Sequence, residues 1–242
     1  QDSLTTPREQ GESQTLTFGL DKPDEGNFGI ALHNDIKSLF FGNQVLLAVE
    51  EVAMKGRHNT SNALAALALG YAAGLATATM LKTLEVFKGL PHRCETIATI
   101  DNVSYINDSK GTNVGATLAA IEGFGSDAGK NLLLIAGGQG KGQNFGDLKD
   151  SVERFVKCGF LYGEDAQLLE EALHSVTQIH RVNSLVEAVA GAKNAARSGD
   201  IVLLSPACAS FDSFTGFEQR GRCFSQAVLS QVHANNGKGM TS

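Results

Sequence analysis

The stretch Tyr105–Thr117, YINDSKGTNVGAT, passes from an apolar run through a polar loop into the start of a helix. The apolar run ends at Ile106, and a helix can begin at Val114 after residues that suit a helix cap. The stretch therefore predicts a strand, a loop and a helix in succession. This order puts Asp108 and Lys110 at the carboxyl end of a strand, beside helix N–H groups that favour an anionic ligand.

The composition is that of an ordinary globular protein. The chain has 242 residues, 42% of them hydrophobic and 19% charged, which is enough for one large or two small domains, and we expect two. The net charge of -6 comes without a cluster of basic residues, so nucleic acid is not an expected partner. No apolar run approaches the length of a membrane span, so we expect no membrane partner either.

The cysteines are far apart and form no C-x-x-C pair. They predict reduced thiols rather than a zinc site or a disulfide framework. The four positions are Cys94, Cys158, Cys208 and Cys223.

The first third of the chain predicts a β-meander followed by two helices. Residues 1–14 have no hydrophobic period, and we expect them to be disordered. Capping residues followed by alanine and leucine predict a helix over 57–74, and a second helix is expected over 76–87. Between residues 15 and 55, short apolar runs separated by turn residues favour antiparallel hairpins. These runs are LTFGL, FGIALH, SLFFG, QVLLAVE and EVAMK.

Beyond Arg93 the pattern is that of an α/β domain. A hairpin around Asp101 and Asn102 is followed by apolar strands that alternate with amphipathic helices, and a last helix is expected over 220–233. Such alternation predicts a mostly parallel, Rossmann-like sheet covered on both faces. We place the domain boundary at Gly89–His92. The expected division is residues 1–89, residues 90–235 and a tail over 236–242.

Three polar loops follow predicted strands, and parallel strands bring such loops to one edge of the sheet. The glycine-rich loop fits neither a Walker A sequence nor G-x-G-x-x-G, so Lys141 is either a solvated lysine or an anion ligand. Asp108 and Lys110 form either an exposed ion pair or part of a ligand site, and their position favours the site. The loops span residues 107–113, 137–145 and 205–221.

The serines of the third loop lack a G-x-S-x-G elbow, so a hydrolase nucleophile is not expected. Ser205 and Ser210 are interpreted as donors of hydrogen bonds to a carboxylate, or as helix caps.

These loops, with RHNTSNALAALAL (57–69) and GLPHRCE (89–95), resemble the Mur ligases, and among them the enzymes that add D-glutamate. The combination of NDSKGTN with SPACASFD-x-F-x-x-FEQRG, in this order and spacing, carries the likeness. It extends from about Thr15 to the last helix. The resemblance implies the end of the family's central ATPase domain, with its β-meander and helices, followed by the Rossmann-like carboxy-terminal domain.

The resemblance also implies a cytoplasmic ligase of peptidoglycan precursor synthesis that depends on ATP and Mg²⁺. ATP phosphorylates the terminal carboxylate of UDP-N-acetylmuramoyl-L-alanine, and the amine of D-glutamate attacks the acyl phosphate. An amide, ADP and phosphate result. The implied partners are ATP, D-glutamate and the UDP-linked substrate, and the full-length enzyme is expected to be a monomer.

The family's motifs assign roles residue by residue. Positions matched to ATP contacts are Asn59, Asn62, Arg93, Asp108 and Lys110, of which Lys110 is also the expected catalytic residue. Positions matched to the D-glutamate pocket are Thr112, Lys141, Ser210, Phe211 and Phe217.

One departure from the family concerns a whole segment. The family's P-loop, its metal-binding glutamate and histidine and its modified lysine all precede the matched region, and nothing in residues 1–55 replaces them. We therefore expect no metal ligand in this chain. We also expect the chain, which starts at Gln1, to be a truncated or processed piece that is inactive alone. Two alternatives remain: a non-catalytic module that binds D-glutamate or nucleotide, and a related ligase for another acidic substrate.

Overall fold

The computed structural model describes residues 2–7 and 13–236, with side chains over 15–230. The chain divides into two compact units, Gln1–Lys88 and Gly89–Ser242, called unit 1 and unit 2 below. No helix of the described residues is long and apolar enough to cross a membrane.

Unit 1 contains a five-stranded sheet and two helices. The strands are β1 (Asp2–Pro7), β2 (Ser13–Phe18), β3 (Phe28–His33), β4 (Ile36–Phe41) and β5 (Gln44–Ala48), and the helices are α1 (Arg57–Ala72) and α2 (Thr77–Val86). The strands neighbour one another in chain order. All pairs are antiparallel except β2 and β3, which meet in parallel through Phe18 and Phe28.

The structure corrects three expectations for unit 1. The segment 1–14, which the sequence predicts to be disordered, contains β1, and β1 pairs with β2. Even a polar segment satisfies its backbone groups at an open sheet edge. Residues 1 and 8–12 lie outside the described residues. β2 and β3 do not form an antiparallel hairpin, since residues 19–27 carry the chain back to the same end. The run EVAMK is no strand, because a 3-10 turn over Val49–Glu51 reaches into it and the Val52 N–H donates to the Val49 carbonyl at 3.3 Å.

Helix α1 covers the sheet of unit 1. Leu64 and Leu67 are buried with Leu39 of β4 in one apolar core. At Gly70 an added Cβ would lie 2.2 Å from Met80 Sδ, so the absence of a side chain allows α2 to approach. The predicted small-residue helix is therefore buried on more than one side.

Unit 2 is an α/β domain with one six-stranded sheet in the order β10-β9-β8-β11-β7-β6. All neighbours are parallel except the hairpin of β6 and β7, which confirms the predicted mostly parallel α/β class. The strands are β6 (Glu95–Ile100), β7 (Val103–Asn107), β8 (Leu132–Gly137), β9 (Val156–Tyr162), β10 (Gln178–Arg181) and β11 (Ile201–Leu204). The helices are α3 (Val114–Phe124), α4 (Lys149–Phe155), α5 (Ala166–Leu173), α6 (Leu185–Ala195) and α7 (Phe217–Asn236).

The central strand β8 is buried on both faces. Leu132 and Leu134 belong to one apolar core, with residues of α3, α4 and α5. Leu133 and Ile135 belong to a second core on the opposite face, with residues of α6 and α7. Because side chains alternate along a strand, this uninterrupted apolar run is what a doubly covered strand requires.

The last helix begins three residues earlier than the sequence predicted. The backbone N–H and the hydroxyl of Thr215 both donate to Gln219 Oε1, at 2.7 and 3.1 Å, and α7 starts at Phe217. This start places Arg220 in the first turn of α7. Residues 237–242, which contain most of the expected tail, lie outside the described residues.

Candidate functional site

The three predicted polar loops meet at the carboxyl edge of the unit 2 sheet. Gln139 and Ala209 exchange two backbone hydrogen bonds of 2.9 Å, which join the second loop to the third. The N–H of Ala207 donates to the Gly111 carbonyl at 3.0 Å, which joins the third loop to the first. The third loop therefore connects the other two.

Asp108 is buried at the start of the first loop, with 6% of its surface exposed. Its Oδ2 accepts from the Ser205 hydroxyl at 2.8 Å and its Oδ1 from the Cys94 N–H at 3.3 Å. Burial raises the pKa of Asp108 to about 6, and these hydrogen bonds and the charge of Arg93 offset part of the rise. A Cβ at Gly111 would lie 2.5 Å from Oδ2, so this carboxylate requires glycine there.

Lys110 contacts an aromatic ring and not Asp108. Its Nζ lies 4.3 Å from the ring centroid of Phe217, within cation–π range. Its backbone N–H donates to the His92 carbonyl at 3.0 Å. The ion pairs found in the described part of the chain do not join Lys110 to Asp108, so the alternative of an exposed ion pair is wrong.

Ser205 donates to a carboxylate, and that carboxylate is the protein's own Asp108. Its Oγ also lies 3.0 Å from Thr117 Oγ1, which accepts from the Ala207 N–H at 2.9 Å. Ser205, Asp108 and Thr117 thus form a buried polar cluster under the first and third loops.

Gln143 joins the second and third loops to the start of α3, directly after the first loop. Its Oε1 accepts from the Val114 N–H at 2.8 Å, at the start of α3. Its Nε2 donates to the carbonyls of Gly140 at 2.9 Å and Ala207 at 3.2 Å. The sequence pattern gave no sign of this role, because Gln143 stands where a dinucleotide-binding loop would have its last glycine.

Arg220 is fully buried beneath the same loops. It donates from Nη2 to the Ser109 carbonyl at 2.8 Å and from Nε to Ser109 Oγ at 3.0 Å. Nη1 donates to the carbonyls of Cys208 at 3.0 Å and Gly137 at 3.4 Å. The sequence contained Arg220 only as part of the FEQRG motif, and no periodicity distinguishes a buried arginine from a solvated one.

The residues assigned to a D-glutamate pocket lie on these loops. Lys141 is exposed, has a left-handed backbone with φ of 55°, and places its Nζ 5.5 Å from the ring centroid of Phe211. Ser210 is buried and directly follows the residue that pairs with Gln139. Thr112 is partly buried, and its N–H donates to the Lys110 carbonyl at 2.8 Å.

The other assigned residues divide between the units. Unit 2 holds Arg93, which is exposed and next to Cys94. Asn59 and Asn62 lie on α1 of unit 1, where Asn59 is buried and donates to the Lys55 carbonyl at 2.8 Å, while Asn62 is exposed. Over the described ranges no three or more His, Cys, Asp or Glu side chains are grouped so that they could hold a metal ion.

The sequence of this chain is similar to those of a known protein family. Residues 92–208 match the model of a protein family described as "Mur ligase, glutamate ligase domain". The chain is also 51% identical over 229 residues to UDP-N-acetylmuramoylalanine–D-glutamate ligase of Pseudomonas fluorescens, an alignment that takes in 94% of this chain and 51% of that protein. The chain belongs to the Mur ligase family. The resemblance inferred from the loop motifs is therefore confirmed.

Other Mur ligases are similar to this chain to the same degree. Proteins of the same name from Pseudomonas aeruginosa and Coxiella burnetii are 50% identical to this chain over 227 and 213 residues. These alignments cover 94% and 88% of this chain, but 51% and 48% of the relatives. The chain spans about half the length of the curated Mur ligases that it matches.

Solved structures share the fold. The pseudomurein peptide ligase type C of Methanothermus fervidus superposes with a TM-score of 0.60 at 15% identity, over 88% of this chain and 43% of that one. The UDP-N-acetylmuramate-alanine ligase of Thermotoga maritima gives 0.58 at 18% identity, over 88% and 48%. At such identities the likeness concerns the fold alone.

Proposed function

We propose that this chain is the carboxy-terminal half of an ATP-dependent ligase, MurD, which joins D-glutamate to UDP-N-acetylmuramoyl-L-alanine in cytoplasmic peptidoglycan precursor synthesis. The observation that carries the proposal is the 51% identity, over 94% of this chain, to the UDP-N-acetylmuramoylalanine–D-glutamate ligase of Pseudomonas fluorescens. Unit 1 is then the end of the central ATPase domain, and unit 2 is the carboxy-terminal domain.

Unit 2 receives D-glutamate. The ligand has two carboxylates, and the loops offer the Lys141 ammonium with the hydroxyls of Thr112 and Ser210. A lysine–carboxylate bond is charge-assisted and is stronger than a bond between neutral groups. Phe211 and Phe217 are assigned to the pocket, and their ring centroids lie 5.5 Å from Lys141 Nζ and 4.3 Å from Lys110 Nζ.

Lys110 is the proposed catalytic residue. Its ammonium is held over Phe217 and carries the only charge within the NDSKGTN loop that is not buried, since Asp108 lies in the interior. A cation fixed in this way can stabilise the negative charge that develops on phosphate oxygens during transfer from ATP. Lys110 therefore acts on the phosphates, while Lys141 acts on the amino acid.

The other proposed ATP contacts have separate roles. Arg93 is an exposed cation available to an anionic ligand. Asp108 contributes by anchoring the loop, because both of its carboxylate oxygens already accept hydrogen bonds from the protein. Asn59 and Asn62 offer amide groups from unit 1 and are assigned to the nucleotide base.

In the proposed reaction, ATP activates one substrate and unit 2 binds the other. ATP turns the terminal carboxylate of the UDP-linked substrate into an acyl phosphate, which has a good leaving group. The loops of unit 2 hold D-glutamate by its carboxylates and leave its amine free to attack. Ligases of this kind use Mg²⁺, but the donor groups in the described part of the chain do not fit a metal ion, so we assign none of these residues to metal binding.

The binding half of the proposal can be tested on the 242-residue chain. Isothermal titration with D-glutamate and L-glutamate should give binding of the D-enantiomer only. The NMR signals of the backbone amides in the three loops should shift when D-glutamate binds. Equal binding of both enantiomers, or a preference for another acidic amino acid, would overturn the D-glutamate assignment.

The reaction itself is tested on the protein expressed from the complete gene. Phosphate release from ATP should require both D-glutamate and UDP-N-acetylmuramoyl-L-alanine. Release that does not depend on D-glutamate would contradict the proposal.

A further inference from the structure

Arg220 has an unusual environment for a cation. It is fully buried, and the ion pairs found among the described residues do not include it. It also lies in the first turn of α7, where the helix dipole disfavours positive charge. Burial lowers the pKa of its guanidinium, as expected for a cation removed from water. A neutral side chain would avoid these costs, so the arrangement calls for a reason other than stability.

The acceptors of Arg220 identify that reason. They are the carbonyls of Ser109, Gly137 and Cys208, and each of these residues belongs to a different one of the three loops. Ser109 precedes Lys110, Gly137 begins the loop of Lys141, and Cys208 is two residues before Ser210. One rigid guanidinium therefore binds the backbone of the three loops that carry Lys110, Lys141 and Ser210.

The Ser109 hydroxyl connects Arg220 to Phe217. Nε of Arg220 donates to Ser109 Oγ at 3.0 Å, and that hydroxyl donates to the Phe217 carbonyl at 2.7 Å. The Phe217 ring in turn holds the Lys110 ammonium. Movement of Arg220 would thus move both the backbone and the ring beside Lys110.

We propose that Arg220 is a positioning residue that sets the spacing of the groups that bind the two carboxylates of the amino-acid substrate. This inference rests on the proposed function. Arg220 touches no substrate, and it acts through Ser109, Gly137 and Cys208. Lysine cannot replace it, because a single ammonium lacks the planar fork that reaches three separate carbonyls. The spacing that Arg220 maintains distinguishes D-glutamate from D-aspartate, whose carboxylates are one methylene closer.

The test compares Arg220→Lys with Arg222→Lys, an exposed arginine two residues further along α7. In Arg220→Lys we expect D-glutamate affinity to fall about tenfold. This is the effect of losing one charge-assisted bond between the substrate and a loop that Arg220 no longer positions. The preference for D-glutamate over D-aspartate should narrow, and amide signals should shift in all three loops while those of β10, at the far edge of the sheet, stay in place. Arg222→Lys should match the wild type in each measurement.

Several outcomes would decide the matter. Unchanged affinity, unchanged preference and unshifted loop signals in a folded Arg220→Lys would overturn the inference. If that variant does not fold, Ser109→Ala takes its place, because it removes only the hydroxyl between Arg220 and Phe217. Ser109→Ala should weaken D-glutamate binding and shift the amide signals of Phe217 and Lys110. Wild-type behaviour of Ser109→Ala would overturn the inference. A wild-type chain that binds no D-glutamate would refute the proposed function instead, and the loop signals would still report on Arg220.

Discussion

The hydroxyl of Ser205 donates a hydrogen bond to Asp108 Oδ2 at 2.8 Å in the interior of unit 2. The two residues are 97 positions apart in the chain, and they directly follow the neighbouring strands β11 and β7. Their contact connects the first loop to the third. It also surrounds a carboxylate with donors but with no ion-pair partner among the described residues, which makes the site sensitive to pH.

Asp108 should make the stability of unit 2 depend on pH in an unusual direction. Its pKa in the folded protein, about 6, lies above the ordinary value of 3.8, so the folded state favours the protonated form. Its contribution to the free energy of unfolding is therefore complete below pH 3.8 and is lost as the pH rises through 6. From pH 7 to pH 4 the wild type should gain about 2 kcal/mol relative to Asp108→Asn.

Urea unfolding at pH 4, 5, 6 and 7 measures this difference. Glu153→Gln, at an exposed position on α4, controls for the loss of a carboxylate in general. Parallel pH profiles for the wild type and Asp108→Asn would show that Asp108 does not titrate in this window.

Gly111→Ala should destabilise unit 2. The new Cβ would lie 2.5 Å from Asp108 Oδ2 and 2.7 Å from Ser205 Oγ, inside the buried polar cluster. We expect a loss of about 1 to 3 kcal/mol in the free energy of unfolding, as for overpacking in a core. Gly115→Ala, on α3, meets only Asn113 Oδ1 at 3.5 Å and should gain about 0.5 to 1 kcal/mol from helix propensity. Equal stability of the two variants would contradict the geometry of the cluster.

Lys141→Ala should weaken D-glutamate binding more than any change in folding explains. The side chain is exposed, and its Nζ lies 5.5 Å from the ring centroid of Phe211, so its loss should leave the melting temperature within error of the wild type. The affinity should fall by about 1.5 to 3 kcal/mol if a charge-assisted bond to a carboxylate is lost. Calorimetric titration of the 242-residue chain measures it, with the exposed lysine variant Lys149→Ala as the control. An unchanged dissociation constant would remove Lys141 from the pocket.

The two aromatic rings should differ in their importance. Phe217 is 4.3 Å from Lys110 Nζ, whereas Phe211 is 5.5 Å from Lys141 Nζ and 65% exposed. Phe217→Leu should therefore lose about 0.5 to 1 kcal/mol of cation–π stabilisation, and Phe211→Leu should lose less. Thermal unfolding and the chemical shift of each lysine's Nζ protons report the difference. A larger effect at Phe211 would reverse the ranking of the two contacts.

Much of the fold could be predicted because its signals are local. The apolar run of β8 predicts a strand buried on both faces, and its side chains do alternate between two cores. The capping pattern before Val114 predicts the start of α3, where the Asn113 side chain accepts from the Ala116 N–H at 2.9 Å. The meeting of the three loops also follows from sequence, since parallel strands place the loops after them at one edge.

The contacts within the site could not be predicted in the same way. Arg220 bonds to Ser109 across 111 positions, and Gln143 bonds to Ala207 across 64. No window of sequence contains both partners of such a bond. The strand β1 was missed for a related reason, because its polar residues carry no apolar period and its pairing depends on the open edge of β2.

The sequence by itself determined the α/β class, the order of the elements in unit 2, the family resemblance and the meeting of three polar loops at one edge of the sheet, because all of these depend on local periodicity and on short motifs. Only the tertiary structure decided that Asp108 is buried, that Lys110 rests on Phe217, and that Arg220 connects the three loops. The physical reason is that burial and hydrogen-bond partners depend on which distant segments the sheet brings together.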